Sequence, residues 1–322
     1  MALQTFDFEK PIVEIEAAIQ ALTDKPAETE ELEVEKSRQL AELEARKNAL
    51  QQEIYGNLTP WNRVQIARHM ERPRSQDFID QLITDWHEIK GDRYFHDDAA
   101  VICGLGRFEG EPIAVIGQQK GHDTRENVTR NFGMMHPEGY RKALRLMTIA
   151  ERFNLPILIL IDTPGAYPGI GAEERGQSEA IARNIMEMFM VRTPMIGVII
   201  GEGASGGALG VGVVDRMFML ENSWYCVISP EGCASILWRN AAKAPESAEV
   251  LKLTAEDLKR FEIVERVIPE PLGGAHRDPR QTIENLRQPL IETLAELKGK
   301  EMETLLAERF NKFRRVGVII EE

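Results

Sequence analysis

Apolar positions run without interruption over Ile157-Leu158-Ile159-Leu160-Ile161 and again over Met195-Ile196-Gly197-Val198-Ile199-Ile200. Each run ends in a glycine-rich turn. The first continues as Asp162-Thr163-Pro164-Gly165-Ala166-Tyr167-Pro168-Gly169-Ile170-Gly171, the second as Gly201-Glu202-Gly203-Ala204-Ser205-Gly206-Gly207-Ala208. Short continuous apolar runs rich in β-branched residues and closed by turn residues predict strands buried on both faces. Between them, Ile181, Ile185, Met188 and Phe189 recur at i, i+4, i+7 and i+8, which predicts a helix over Glu173 to Met190 with one apolar stripe. The pair of runs is therefore a β-α-β unit, with both glycine turns at the carboxyl ends of buried strands, where open α/β sheets bind ligands.

The rest of the pattern extends this unit at both ends. From Pro11 to Ile54 the chain reads as two charged helices: Ile12, Ile15, Ile19 and Leu22 make one stripe, and Leu40, Leu43, Leu50 and Ile54 another. A break at Asp24-Lys25-Pro26 separates them, so they are expected to pack as an antiparallel hairpin. Leu58 to Gly91 carries apolar residues, Ile83 and Trp86 among them, that suggest one or two further helices. Val101 to Phe108 and Pro112 to Gly117 flank the turn Glu109-Gly110-Glu111 and read as a strand hairpin. Pro137 to Phe153 is helical, with Arg141, Lys142 and Arg145 on one face. Beyond the second glycine turn come short strands at Arg216 to Leu220, Tyr225 to Ile228 and Phe261 to Ile268. Helices are expected after the N-cap Ser229 and over Thr254 to Arg260. Pro269 to Arg277 is a loop. Thr282 to Phe313 is again helical, periodic despite Pro289. The division expected is a helical arm over 1–57, an α/β domain over 58–278 and a helical tail over 279–322.

Composition narrows the function more than the fold. The 322 residues carry a formal net charge of −13, which argues against nucleic acid as the main partner because phosphate neutralisation needs a basic face. Three cysteines without a C-x-x-C exclude a cysteine-rich zinc site and oppose a disulfide framework. No apolar run reaches membrane-spanning length and the first residues lack the regions of a signal peptide, so a soluble, reducing compartment is expected.

The second glycine turn admits three chemistries. Gly201, Gly203 and Gly206 satisfy the G-x-G-x-x-G of dinucleotide sites, with Glu221 at the spacing of the ribose-binding acid. Gly203, Ser205 and Gly207 satisfy G-x-S-x-G, the nucleophile elbow of hydrolases, for which His276 with Asp257 or Asp278 would have to serve as base and orienting acid. In the third reading, Gly206 and Gly207 offer backbone N–H groups at a helix start to an enolate oxygen, which requires neither a nucleophile nor a base. Lys120 and Arg125, on the polar turn after the strand ending at Gly117, are candidates for a substrate carboxylate or a phosphate. Arg141 is a candidate for a further anion contact, Gly165 and Gly203 are candidate substrate-contacting positions on the two turns, and His122 is a turn residue or a base.

The motif Arg130-Asn131-Phe132-Gly133-Met134, the run Pro137 to Met147, the stretch Ile161 to Asn184, the turn Ile200 to Leu209, and the segments Ile228 to Trp238 and Pro269 to Arg277 together closely resemble the carboxyltransferase alpha subunits of bacterial and plastid acetyl-CoA carboxylase. That family often carries Gly where Ala204 stands here. The resemblance implies a crotonase-like superhelix of ββα units. It implies an α2β2 assembly with a beta subunit that bears the zinc, and function alongside the biotin carboxyl carrier protein and biotin carboxylase in the cytoplasm or plastid stroma. The reaction implied moves a carboxyl group from carboxybiotin to acetyl-CoA, giving malonyl-CoA for fatty acid synthesis, with no metal and no covalently bound cofactor in this chain. Gly206 and Gly207 are then the oxyanion-hole residues, holding the biotin enolate or, alternatively, the thioester enolate.

Overall fold

The computed structural model describes residues 5–26 and 29–317; the extreme ends of the expected arm and tail lie outside them. Helices α1 (Lys10–Thr23) and α2 (Glu30–Gly56) form the arm, followed by α3 (Pro60–Ala67) and α4 (Ser75–Leu82). Strands β1 (Ile83–Glu88), β2 (Val101–Phe108) and β3 (Glu111–Gln118) precede α5 (Thr124–Thr129) and α6 (Pro137–Arg152). Then come β4 (Ile157–Thr163), α7 (Ile170–Glu174), α8 (Gln177–Met188), β5 (Met195–Ala204) and α9 (Ser205–Leu209). The chain continues through β6 (Arg216–Leu220), β7 (Trp224–Cys226), α10 (Pro230–Trp238), α11 (Ala244–Leu251), α12 (Ala255–Arg260) and β8 (Arg266–Ile268), and closes with α13 (Pro279–Lys298) and α14 (Met302–Arg314).

The strands form one sheet in the order β1-β2-β3-β4-β5-β6-β8, antiparallel up to β3 and parallel from there on, with β7 paired to the carboxyl end of β5. Along β4, Ile157, Ile159 and Ile161 enter the core shared with α6 and α8, while Leu158 and Leu160 enter the one shared with α4 and α13. Burial on both faces explains why these strands read as unbroken apolar runs rather than as alternating ones.

Three local expectations change. Ile83 and Trp86 stand on β1, a strand, and not on a helix: the indole covers Gly104 of β2, where a Cβ would come within 2.5 Å of Trp86 Cη2. The glycine on the neighbouring strand, not a periodicity within β1, is what admits this pairing. The second glycine turn begins later than expected, because β5 runs through Gly201 and Gly203 to Ala204, and Glu202, Gly203 and Ala204 pair with β7. The helix expected from Glu173 begins at Gln177, after a left-handed residue at Gly176.

The tail belongs to the core. Ile283, Leu286, Leu290 and Leu297 of α13 are buried against the sheet. Arg309 of α14 is fully buried, bidentate on Asp215 at 2.8 and 2.9 Å, and donates to the carbonyls of Met188, Val191 and Thr193. The arm keeps its seam between α1 and α2 and meets the body at its base. There Glu9 accepts from Tyr55 at 2.6 Å, and Phe6 packs edge-on to His69 and His276, which stack on each other 4.0 Å apart.

Candidate active site

The two glycine turns meet at the carboxyl ends of β4 and β5. An ideal Cβ on Gly207 would overlap the carbonyl carbon of Gly165 and lie 2.6 Å from the nitrogen of Ala166, so only glycine lets the start of α9 lie against the first turn. Gly206 has ordinary space, its nearest neighbour being Ile181 Cδ1 at 3.6 Å. Ser205 opens the helix with φ +55, which turns the chain sharply out of the strand. In the first turn of a helix the N–H groups have no intrahelical acceptor. Among the described residues, neither the Gly206 nor the Gly207 amide donates to a main-chain carbonyl outside the helix. Gly206 is half-buried and Gly207 buried, so two donors are held in a shielded corner where a developing negative oxygen gains most from them.

Beneath the turns lies an ion-pair chain centred on Lys120, whose pairing the sequence did not show. Lys120 is buried, with Nζ 2.6 Å from Asp162 Oδ1 and 2.7 Å from Glu202 Oε1. Asp162 also takes the amide of Glu202 at 2.9 Å and pairs with Arg74 at 3.2 Å, while Glu202 pairs with Arg68 at 2.6 Å. Burial alone would raise the Glu202 carboxyl, but Lys120 and Arg68 outweigh it and hold it at about 2. Asp162 and Glu202 lie three residues before Gly165 and Ser205, so the network clamps both strand ends at the point where the turns begin. The sequence shows its members separately, as Lys120 on a polar turn, a basic cluster over Arg68 to Arg74 and single acids closing two apolar runs, but not their pairing.

These contacts revise the ligand candidates. Lys120 is consumed by two carboxylates and is not free to meet a substrate. Arg141 is likewise engaged, by Asp92 at 2.8 Å and Glu138 at 3.1 Å, and Lys142 and Arg145 of the same face bind the segment 90–98. That basic face is neutralised by a neighbouring loop rather than presented to an anion. Gly203 sits within the β5–β7 ladder opposite Tyr225, a packing position. Arg125 stands exposed on α5, on the wall of a cleft of about 530 Å³ shared with Lys90, Arg130, Asp97 and Glu126, apart from the glycine turns. Gly165 does belong to the corner, as the floor beneath Gly207. His122 pairs with Asp77 at 3.1 Å, and that hydrogen bond raises its pKa.

The competing chemistries lose their supports. A dinucleotide loop needs Gly201 and Gly203 in the turn, and both are in the strand. A hydrolase needs a base for Ser205, and His276 is buried in the stack with His69 at the root of the arm, where burial, followed by His69 and Arg277, depresses it to about 3. What remains at this corner, among the described residues, is a pair of amide donors with no nucleophile–base couple.

A sequence family described as acetyl co-enzyme A carboxylase carboxyltransferase-like matches residues 5–317. The acetyl-coenzyme A carboxylase carboxyl transferase subunit alpha of Halalkalibacterium halodurans is 52% identical over 311 residues, 97% of this chain and 95% of that protein. The one from Thermus thermophilus is 50% identical over 315 residues, covering 98% and 99%. Among solved structures, transcarboxylase 12S with methylmalonyl-coenzyme A and methylmalonic acid bound aligns with a TM-score of 0.57 at 19% identity, over 71% of this chain and 43% of that one. A Pseudomonas malonate decarboxylase hetero-tetramer in complex with coenzyme A aligns at 0.56 and 18% identity, over 68% and 87%. The fold is thus the crotonase-like fold of carboxyltransferases. Full-length identity near one half, joined to a family match over residues 5–317, makes this chain a member of the acetyl-CoA carboxylase carboxyltransferase alpha-subunit family.

Proposed function

We propose that this chain moves the carboxyl group of carboxybiotin, carried on a biotin carrier protein, to the methyl carbon of acetyl-CoA, and that the Gly206 and Gly207 amides are the oxyanion hole it contributes. The single observation that carries the reading is the pair of amides without backbone acceptors at the start of α9. When the C–N bond of carboxybiotin breaks, carbon dioxide departs and the electron pair remains on the ureido group as a biotin enolate. That enolate takes a methyl proton from acetyl-CoA, and the acetyl-CoA enolate then attacks carbon dioxide to give malonyl-CoA. Both enolates gain from fixed N–H donors, and no protein side chain has to attack or deprotonate. The biotin enolate is assigned to this hole, which leaves the thioester enolate to a second one.

A partner subunit supplies that second hole. This chain spans under half of the transcarboxylase 12S chain, which supports the idea that a carboxyltransferase needs as much structure again as it provides. The partner is the zinc-bearing beta subunit in an α2β2 assembly, served by biotin carboxylase and the carrier protein. Zinc therefore belongs to the partner, and biotin arrives as substrate.

Co-purification with the beta subunit and an assay of malonyl-CoA formed from carboxybiotin test the activity. The hole itself is tested by difference infrared spectroscopy with carbonyl-labelled ligands: the biotin ureido carbonyl bound to the complex should move to lower frequency. A shift confined to the labelled thioester of acetyl-CoA would exchange the occupants, and no shift in either ligand would end the reading. In the same assay Gly207→Ala should lose about 100-fold or more in kcat, the scale of one lost oxyanion donor, because its Cβ must push the two turns apart. Gly206→Ala should keep most of its rate.

A further inference from the structure

Gln118, the last residue of β3, is fully buried and lies among the three parallel strands that converge on the site. The pairing of β3 with β4 stops at Gly117 and Leu160. Just beyond, the Gln118 side chain takes over from the backbone: Oε1 accepts the amide of Asp162 at 3.2 Å, and Nε2 donates to the carbonyl of Gly207 at 2.8 Å. Its own carbonyl is pinned by Ser75 Oγ at 2.6 Å, so the side chain leaves from a fixed root. The orientation of the amide is dictated by its neighbours, since turning it over would set NH2 against N–H and oxygen against oxygen. The second partner of the Gly207 carbonyl is the Tyr140 hydroxyl at 3.5 Å, a long contact, which leaves Gln118 as the main restraint on that residue.

We propose that Gln118 is the positioning residue of the oxyanion hole. It acts through Gly207, holding the first turn of α9 so that the neighbouring amides keep their aim while charge develops and collapses on the bound oxygen. The proposal rests on the oxyanion reading of Gly206 and Gly207. It adds that their geometry is not set by the helix alone, a single turn rich in glycine, but by one amide side chain from the neighbouring strand. Misplacing a preorganised donor by a fraction of an ångström costs rate without costing ground-state affinity, because the ground-state carbonyl asks less of it than the enolate does.

The test uses the assembled complex with its partner subunit. Gln118→Met keeps the length and loses both polar atoms; kcat should fall at least 10-fold while the KM for carboxybiotin stays within twofold and assembly is unchanged. Gln118→Glu supplies a readout that a merely structural role would not move. As a carboxylate it can accept from Asp162 but cannot donate to Gly207, whereas the protonated acid can do both. Its kcat relative to wild type should therefore climb as pH is lowered. The charged groups around that position are Asp162, with Lys120 and Arg74 paired to it, and Glu202, paired to Lys120; these are present in both proteins and cancel in the ratio.

A Gln118→Met enzyme with wild-type kcat, or a Gln118→Glu ratio flat with pH, overturns the proposal. If the methionine variant does not fold, the pH profile of the glutamate variant decides alone. The infrared measurement separates this proposal from its premise. A carbonyl shift present in wild type and unchanged in Gln118→Met sinks only the role of Gln118, whereas a wild-type complex with no shift sinks the oxyanion hole itself.

Discussion

Lys120 shows how the same residue reads differently with and without its neighbours. On a polar turn after a strand, an ammonium group looks available to a substrate carboxylate. In the fold it is held by Asp162 and Glu202, 42 and 82 residues away in the chain. Nothing local to residue 120 announces those partners, whereas the close approach at Gly207 is a property of its own backbone, and the glycine pair there could be picked out from the sequence even while its chemistry stayed open among three readings. Removing one member of a buried ionic cluster leaves the others uncompensated, which typically costs about 3 to 5 kcal/mol. Lys120→Met should accordingly lower the unfolding free energy by that order in chemical denaturation. Were the residue a substrate ligand instead, stability would hold and the KM for acetyl-CoA or carboxybiotin would rise. Arg141 teaches the same lesson, its charge being spent on Asp92 and Glu138.

At the level of elements, the strands and helices that bury two faces or one stripe were readable because their periodicity is set by burial. β1 was not, because its sequence Ile-Thr-Asp-Trp-His-Glu has the burial pattern of a lightly covered edge strand and no apolar alternation. Its place is fixed from the other side, by Gly104 and Gly106 of β2, which receive Trp86 and Ile83. Gly104→Val should therefore expel the indole and cost about 1 to 3 kcal/mol, the usual range for overpacking. The change should be seen as a lowered midpoint together with a red-shifted, solvent-exposed contribution to tryptophan emission. An unchanged spectrum would mean that β1 does not depend on that glycine. The extension of β5 through Gly201 and Gly203 was hidden for a related reason: glycines that look like a loop in sequence are, in the sheet, the positions where Asp162 and Tyr225 come close.

For the whole molecule, acid is the condition that should separate its parts. His276 is depressed from 6.5 to about 3, first by burial and then by His69 and Arg277. The unfolded chain thus binds more protons than the native one between those values, and stability must fall as pH drops through that window. Glu202, lowered from 4.5 to about 2 in spite of its burial, adds a second loss only below pH 4.5. Unfolding free energy should consequently decline already between pH 6.5 and 4.5, and His276→Asn should flatten that upper part of the curve while leaving the lower part. A variant with the wild-type slope above pH 4.5 would acquit the histidine. No described helix is long and apolar enough to cross a membrane.

The short stretch from Arg68 to Arg74 grips four regions at once: Arg68 holds Glu202, His69 stacks on His276 at the root of the arm, Arg72 grasps Glu270 with its two terminal guanidinium nitrogens, and Arg74 reaches Asp162. Two of those partners, Glu270 and His276, come from the last sixth of the chain. A ribosome building this protein will have released every residue of the two glycine turns long before it supplies Glu270 and His276, which hold Arg72 and His69 of this stretch. The completed grip of this stretch is therefore a late event in the life of the nascent polypeptide, and a message cut short near its 3′ end should yield a product with the reactive parts and the ion pairs beneath them but without the hold of Glu270 on Arg72.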